Sequence, residues 1–62
     1  METAKRTALI QSTVQVVADC GFHGASMSLI ADAAGVAAGT AYVHFESKDQ
    51  LMLESYRVLE RR

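Results

Sequence analysis

"AGVAAGTAYVHFESKDQL", residues 34–51, places two glycines, a Thr-x-Tyr-x-His run and a lone lysine close together. Alanine and leucine would build a quieter helix. Gly35 reads as the stop of the helix before it, because a residue just past a helix end adopts a left-handed backbone most cheaply without a Cβ. Ala38 to His44 then has room for about two helical turns. At 100° per residue, Ala41 and Phe45 share one face of those turns with Val36 close by. Gly39, Thr40 and Val43 point the opposite way, flanked by Tyr42 and His44. One face is expected to pack, and the other is left to touch something. After Phe45, Ser47 with Gln50 three positions on reads as the capping box of a further helix.

Working outward, Ser26 is a natural N-cap for a short helix over 27–34, its hydroxyl meeting a free amide of the first turn. That helix presents Ile30, Ala31 and Ala34 on one side, and at about two turns it is stable only when packed. Upstream, Ile10, Val14 and Val17 recur at helical spacing, with Leu9, Thr13 and Val16 beside them, which predicts a first helix over 3–20. Gly21 is expected to end it, with Phe22 folding back on Val17 in a Schellman-type stop. The last helix is expected over 48–62, through Leu51, Met52, Tyr56 and Leu59. Arg61 and Arg62 suit the negative end of its dipole, and the abrupt stop there reads as a cut. Short helix, glycine turn, short helix is the spacing of a helix-turn-helix. The expectation is an all-α, homeodomain-like three-helix domain plus the start of a fourth helix, occupying residues 1–62.

Composition narrows the function. A chain of 62 residues is one small domain with a thin stability margin and little room for a deep catalytic cleft. It contains no glycine-rich phosphate loop, nucleophile elbow or same-face carboxylate pair, and Glu46 and Asp49 read as surface charge, so enzyme chemistry has no support. No cofactor site is read. Cys20 is alone, which excludes an internal disulfide and fits a reducing, cytoplasmic setting, and no partners near His23 or His44 give metal-ligand spacing. Gln11, Ser12, Thr13, Gln15 and Asp19 interrupt the apolar run after Lys5 and Arg6, which argues against both a signal peptide and a membrane span.

The net charge is −1, and between Gly21 and Phe45 the only formal charge is Asp32. Any anion site in that stretch must therefore use hydroxyls, backbone and its edges. Several residues have two readings. Tyr42 either packs with its hydroxyl in water or meets an anion. Lys48, mildly unfavourable beside a positive helix end, is either a solvated lysine or one that faces a phosphate. His44 is packed, solvated or in contact with a partner, and Lys5 and Arg6 are either solvated or run along a nucleic-acid backbone.

"GFHGASMSLIADAAGVAAGTAYVHFESKDQL", residues 21–51, resembles the DNA-binding segment of the TetR (tetracycline repressor) family of bacterial transcriptional regulators. The matching residues are Gly21-Phe22, Ser26, Ile30-Ala31, Ala34-Gly35-Val36, Gly39-Thr40, Tyr42, His44-Phe45, Lys48 and Leu51, and with the preceding helix the likeness covers nearly the whole chain. The resemblance implies sequence-specific binding of double-stranded DNA by a repressor, with the third helix in the major groove. It implies phosphate contacts from Ser26 or Ser28, Tyr42, His44 and Lys48, with Thr40 facing base edges or backbone. It also implies a homodimer on a near-palindromic operator, and a small-molecule effector acting through a carboxy-terminal dimerisation and ligand-binding domain that is not in this sequence. The chain departs from the family pattern at Ala37, where a capping serine is usual, at Ala38, where a basic residue is common, at Ala41, where a larger apolar residue is usual, and at the apolar Val43. The groove face, formed with Ala38, Gly39, Thr40 and Val43, carries no Arg, Lys, Asn or Gln for a bidentate base contact. This leaves thymine methyl contacts and DNA shape as discriminants. The competing reading is a small helical protein-interaction module, with Tyr42, Val43 and Met52 as an apolar patch.

Overall fold

Local punctuation divides the chain where the spacing predicts. In the computed structural model, which describes residues 3–60, four helices follow one another: α1 Thr3–Gly24, α2 Met27–Ala34, α3 Ala38–His44 and α4 Lys48–Glu60. Met1, Glu2, Arg61 and Arg62 lie outside the described residues, so the last two positions expected of the fourth helix do too.

Of the two glycine stops, Gly35 behaves as expected and Gly21 does not. Gly35 takes the left-handed conformation (φ 78°, ψ 26°). Its amide donates to Asp32 O at 3.1 Å, while the Val36 amide donates to Ala31 O at 3.0 Å. This pair of bonds is the Schellman motif, and Val36 and Ala31 supply its apolar contact within the core. Gly21 instead adopts φ 79°, ψ 168°, a region essentially closed to residues with a Cβ. The expected Schellman stop at Gly21 is therefore corrected. The chain kinks there and makes one more helical turn to Gly24. Phe22 is exposed, its ring edge-on to His23 at 5.5 Å between centroids.

Both predicted caps form. Ser26 Oγ accepts from the Leu29 amide at 3.1 Å, and Ser47 Oγ accepts from the Gln50 amide at 3.3 Å. The return bond of the second cap is displaced by one residue, since Gln50 Oε1 accepts from the Glu46 amide at 2.8 Å. Ala37, at the N-cap position of α3, makes no side-chain cap bond.

The core joins Leu9, Ile10 and Val16 of α1, Ala25, Met27, Ile30 and Ala31 at and within α2, Ala41 and Phe45 around α3, and Leu51 of α4. α1 packs on α2 and α4, and α2 on α3. The small residues Ala31 and Ala41, both fully buried, let α2 and α3 approach closely. The predicted α1 stripe is rotated. Thr13 is buried while Val14 is exposed, because the Thr13 hydroxyl satisfies itself by donating to Leu9 O at 2.8 Å. Ser55 does the same in α4, donating to Leu51 O at 2.8 Å. A buried hydroxyl with its hydrogen bond made carries little penalty, so two small polar residues occupy positions that apolar periodicity assigns elsewhere. Tyr56 and Leu59, expected to continue the apolar face of the last helix, are exposed. With Val14, Val17, Ala18 and Met52 they line an apolar groove of about 270 Å³ between α1 and α4.

Candidate nucleic-acid interface

The two faces of α3 separate as 100° steps require. Ala41 is 0% and Phe45 1% exposed, whereas Val43 is 79% and Tyr42 54% exposed. Gly39 is exposed, and Ala38, Thr40 and His44 are half-buried. His44 sits beside Phe45, with ring centroids 6.4 Å apart and a 47° tilt.

A Cβ built on Gly39 meets nothing within 4 Å, and its φ is not positive. Nothing inside the fold therefore requires glycine there, although glycine weakens a helix by up to about 1 kcal/mol relative to alanine.

Ser26 and Ser28 are both exposed and line an open depression of about 620 Å³ with Leu29, Asp32, Val36, Ala37 and Ala38. The fold thus brings Ser26 and Ser28 at the start of α2 next to Ala38 at the start of α3. It also places Asp32 in the same depression, a residue noted in the sequence only as an isolated charge.

The cations are arranged differently from their sequence reading. Lys48 Nζ donates to Ala25 O at 2.8 Å and to Phe22 O at 3.1 Å, and lies 4.7 Å from the centroid of the Phe22 ring. Arg6 pairs with Glu54 at 3.3 Å and stands over the Phe45 ring at 5.1 Å. Arg57 also reaches Glu54, at 3.9 Å. Among the described residues, Lys5 is thus the one Lys or Arg side chain left without an ion pair, hydrogen bond or ring contact. Nothing in the sequence signals this contact, because the helical turn after Gly21 that presents these carbonyls, and the side chain that reaches them, both depend on packing.

Among the described residues no group of three His, Cys, Asp or Glu is placed to hold a metal ion, and no helix is long and apolar enough to cross a membrane. Cys20 is a free, exposed thiol.

Residues 9–55 match the family described as bacterial regulatory proteins, tetR family. Similar proteins include the fatty acid metabolism regulator protein of Bacillus subtilis, 37% identical over 79% of this chain and 25% of that protein. The HTH-type transcriptional regulator BetI of Agrobacterium fabrum is 41% identical over 98% of this chain and 30% of its own length. The HTH-type transcriptional repressor KstR2 of Mycolicibacterium smegmatis is 37% identical over 87% and 26%. The chain spans between a quarter and a third of the length of these relatives. No solved structure gives a significant match. A family match over most of the chain, together with relatives up to 41% identical, places this chain in the tetR family of bacterial regulatory proteins.

Proposed function

We propose that this domain docks on double-stranded DNA with α3 in the major groove. Gly39 is the observation that carries the reading. A glycine that the fold does not need, on the exposed side of a helix whose other side is buried, is accounted for by close approach of an outside partner to the α3 backbone. Thr40, Val43 and Ala38 face the bases, where the methyl groups of Val43 and Ala38 suit thymine. Ser28, Tyr42 and His44 sit towards the phosphates, and the Ser26 hydroxyl, which already accepts the Leu29 amide, keeps its proton for one. Phosphate contacts set register, while base contacts and DNA shape carry specificity. The family and the name of the KstR2 relative support a repressor role. In the whole protein we place two such domains on a near-palindromic operator, in a cytoplasmic homodimer governed by an effector that binds outside these residues.

The test compares fold stability with DNA affinity. Gly39→Ala is expected to raise the melting midpoint, since the helix gains up to about 1 kcal/mol, and to weaken duplex binding because the added methyl enters the contact. Asp32→Asn is expected to tighten binding to every sequence by up to about 1 kcal/mol, near fivefold, by removing a negative charge beside the duplex. Unaltered affinity in Gly39→Ala would end this reading of the outward face. Binding of the unaltered domain to a protein target but not to DNA, insensitive to salt, would favour the protein-interaction alternative.

A further inference from the structure

The Lys48 ammonium bridges two places far apart in sequence. Its partners, Phe22 O and Ala25 O, lie at the kinked end of α1, just ahead of the Ser26 cap that launches α2. Lys48 itself opens α4, directly after the chain leaves α3 at Phe45. One side chain therefore ties together the beginning and the end of the helix-turn-helix unit. The grip has three parts: a hydrogen bond of 3.1 Å to Phe22 O in the last turn of α1, one of 2.8 Å to Ala25 O in the α1–α2 junction, and a ring face at 4.7 Å. A cation is favoured in each of these settings. An ammonium has three donors, and two are already directed inward.

We propose that Lys48 is a positioning residue for DNA recognition, which staples the α1–α2 junction to the start of α4 and so sets how α2 and α3 are presented, in place of the phosphate contact its residue type suggests. This rests on the DNA-docking reading above. A residue holding a phosphate contributes about 0.9 to the salt slope of binding, whereas one that only presents the helices contributes nothing to it.

Three measurements on the 62-residue chain test the assignment. In the unaltered protein without DNA, the Lys48 Hε protons are expected to be shifted upfield by the Phe22 ring, and Phe22→Leu is expected to abolish the shift. This reading does not depend on whether any Lys48 variant folds. Lys48→Met is expected to lower the melting midpoint by about 4–8 °C, the scale for losing one such interaction in a small domain. Combined with Phe22→Leu, it should give less than the sum of the two single effects. Titrated with a mixed-sequence duplex over a range of salt, Lys48→Met is expected to bind several-fold more weakly at every salt concentration with the slope unchanged. A slope lower by about 0.9, an unchanged midpoint, or no ring shift in the unaltered protein would each overturn the proposal. Failure of the unaltered chain to bind the duplex at all would overturn the DNA reading and the recognition role together. That outcome is distinguished from loss of the staple alone because the ring shift would persist.

Discussion

The α2–α3 unit and the α1–α4 pair are held by different kinds of force. The unit is short and locally specified: Ser26 caps its first helix, Gly35 closes it with two backbone bonds, and Ala31 and Ala41 let the two helices meet closely. Among the described residues, no Lys, Arg, Asp or Glu between Gly24 and Phe45 makes an ion pair. The α1–α4 pair is braced by Arg6, Glu54 and Arg57 and carries two buried hydroxyls that bond back to their own helices. It leaves an apolar groove open along Val14, Met52 and Tyr56. The difference shows where the few cations act. Arg6 and Lys48 join elements around the unit that presents the outward face, and the outward side of α3 itself carries no Lys, Arg, Asp or Glu.

Phe45 is where the two regions join, buried at the end of α3 with Arg6 above its ring. Phe45→Ala should therefore cause the largest loss, about 3–5 kcal/mol. In a domain this small that is comparable to its whole stability, and thermal unfolding should show no cooperative transition at 25 °C or above. A folded variant with only the α1–α4 contacts disturbed would mean that the two regions are energetically separate.

The glycine stops sharpen the contrast at intermediate cost. Gly21→Ala should destabilise by about 1–3 kcal/mol, because its φ/ψ is essentially glycine-only. Gly35→Asn should cost less, since asparagine visits the left-handed region with modest penalty. Chemical denaturation of both variants gives the comparison directly. Equal losses would show that the kink at Gly21 relaxes without disturbing the α1–α2 junction.

The smallest effect is a gain. Ala37 occupies the N-cap position of α3 with an extended backbone and no side-chain bond, so Ala37→Ser should stabilise by ~0.5–1 kcal/mol. A raised melting midpoint with unchanged duplex affinity would show that the unit is limited by its own local hydrogen bonds. No gain would mean that the α3 amides are already satisfied by solvent at no net cost.

The features legible in the sequence are those settled within one or two turns. The caps at Ser26 and Ser47, the closure at Gly35, the empty cap at Ala37 and the division of α3 into a buried Ala41–Phe45 side and an outward Val43 side all follow from spacing and backbone chemistry. They involve partners three to five residues apart. The rotation of α1 was not legible in this way, because Thr13 looks polar until its hydroxyl is seen bonded to Leu9 O. Nor was the extra turn after Gly21, since the residue type announces a positive φ but leaves ψ to the packing that follows.

The amino-acid sequence by itself determined the number of helices, their order, and which side of α3 turns inward, because helical periodicity and capping act locally and leave little choice. Only the tertiary structure decided what the long cationic side chains do. Arg6 meets a glutamate 48 residues away, and Lys48 meets carbonyls 23 and 26 residues back. A flexible side chain with a charged tip can serve a solvent shell, a phosphate or a helix end equally well as far as sequence tells. Which of them it meets depends on where packing of the apolar core brings the helix ends, and that core is assembled from all four helices at once.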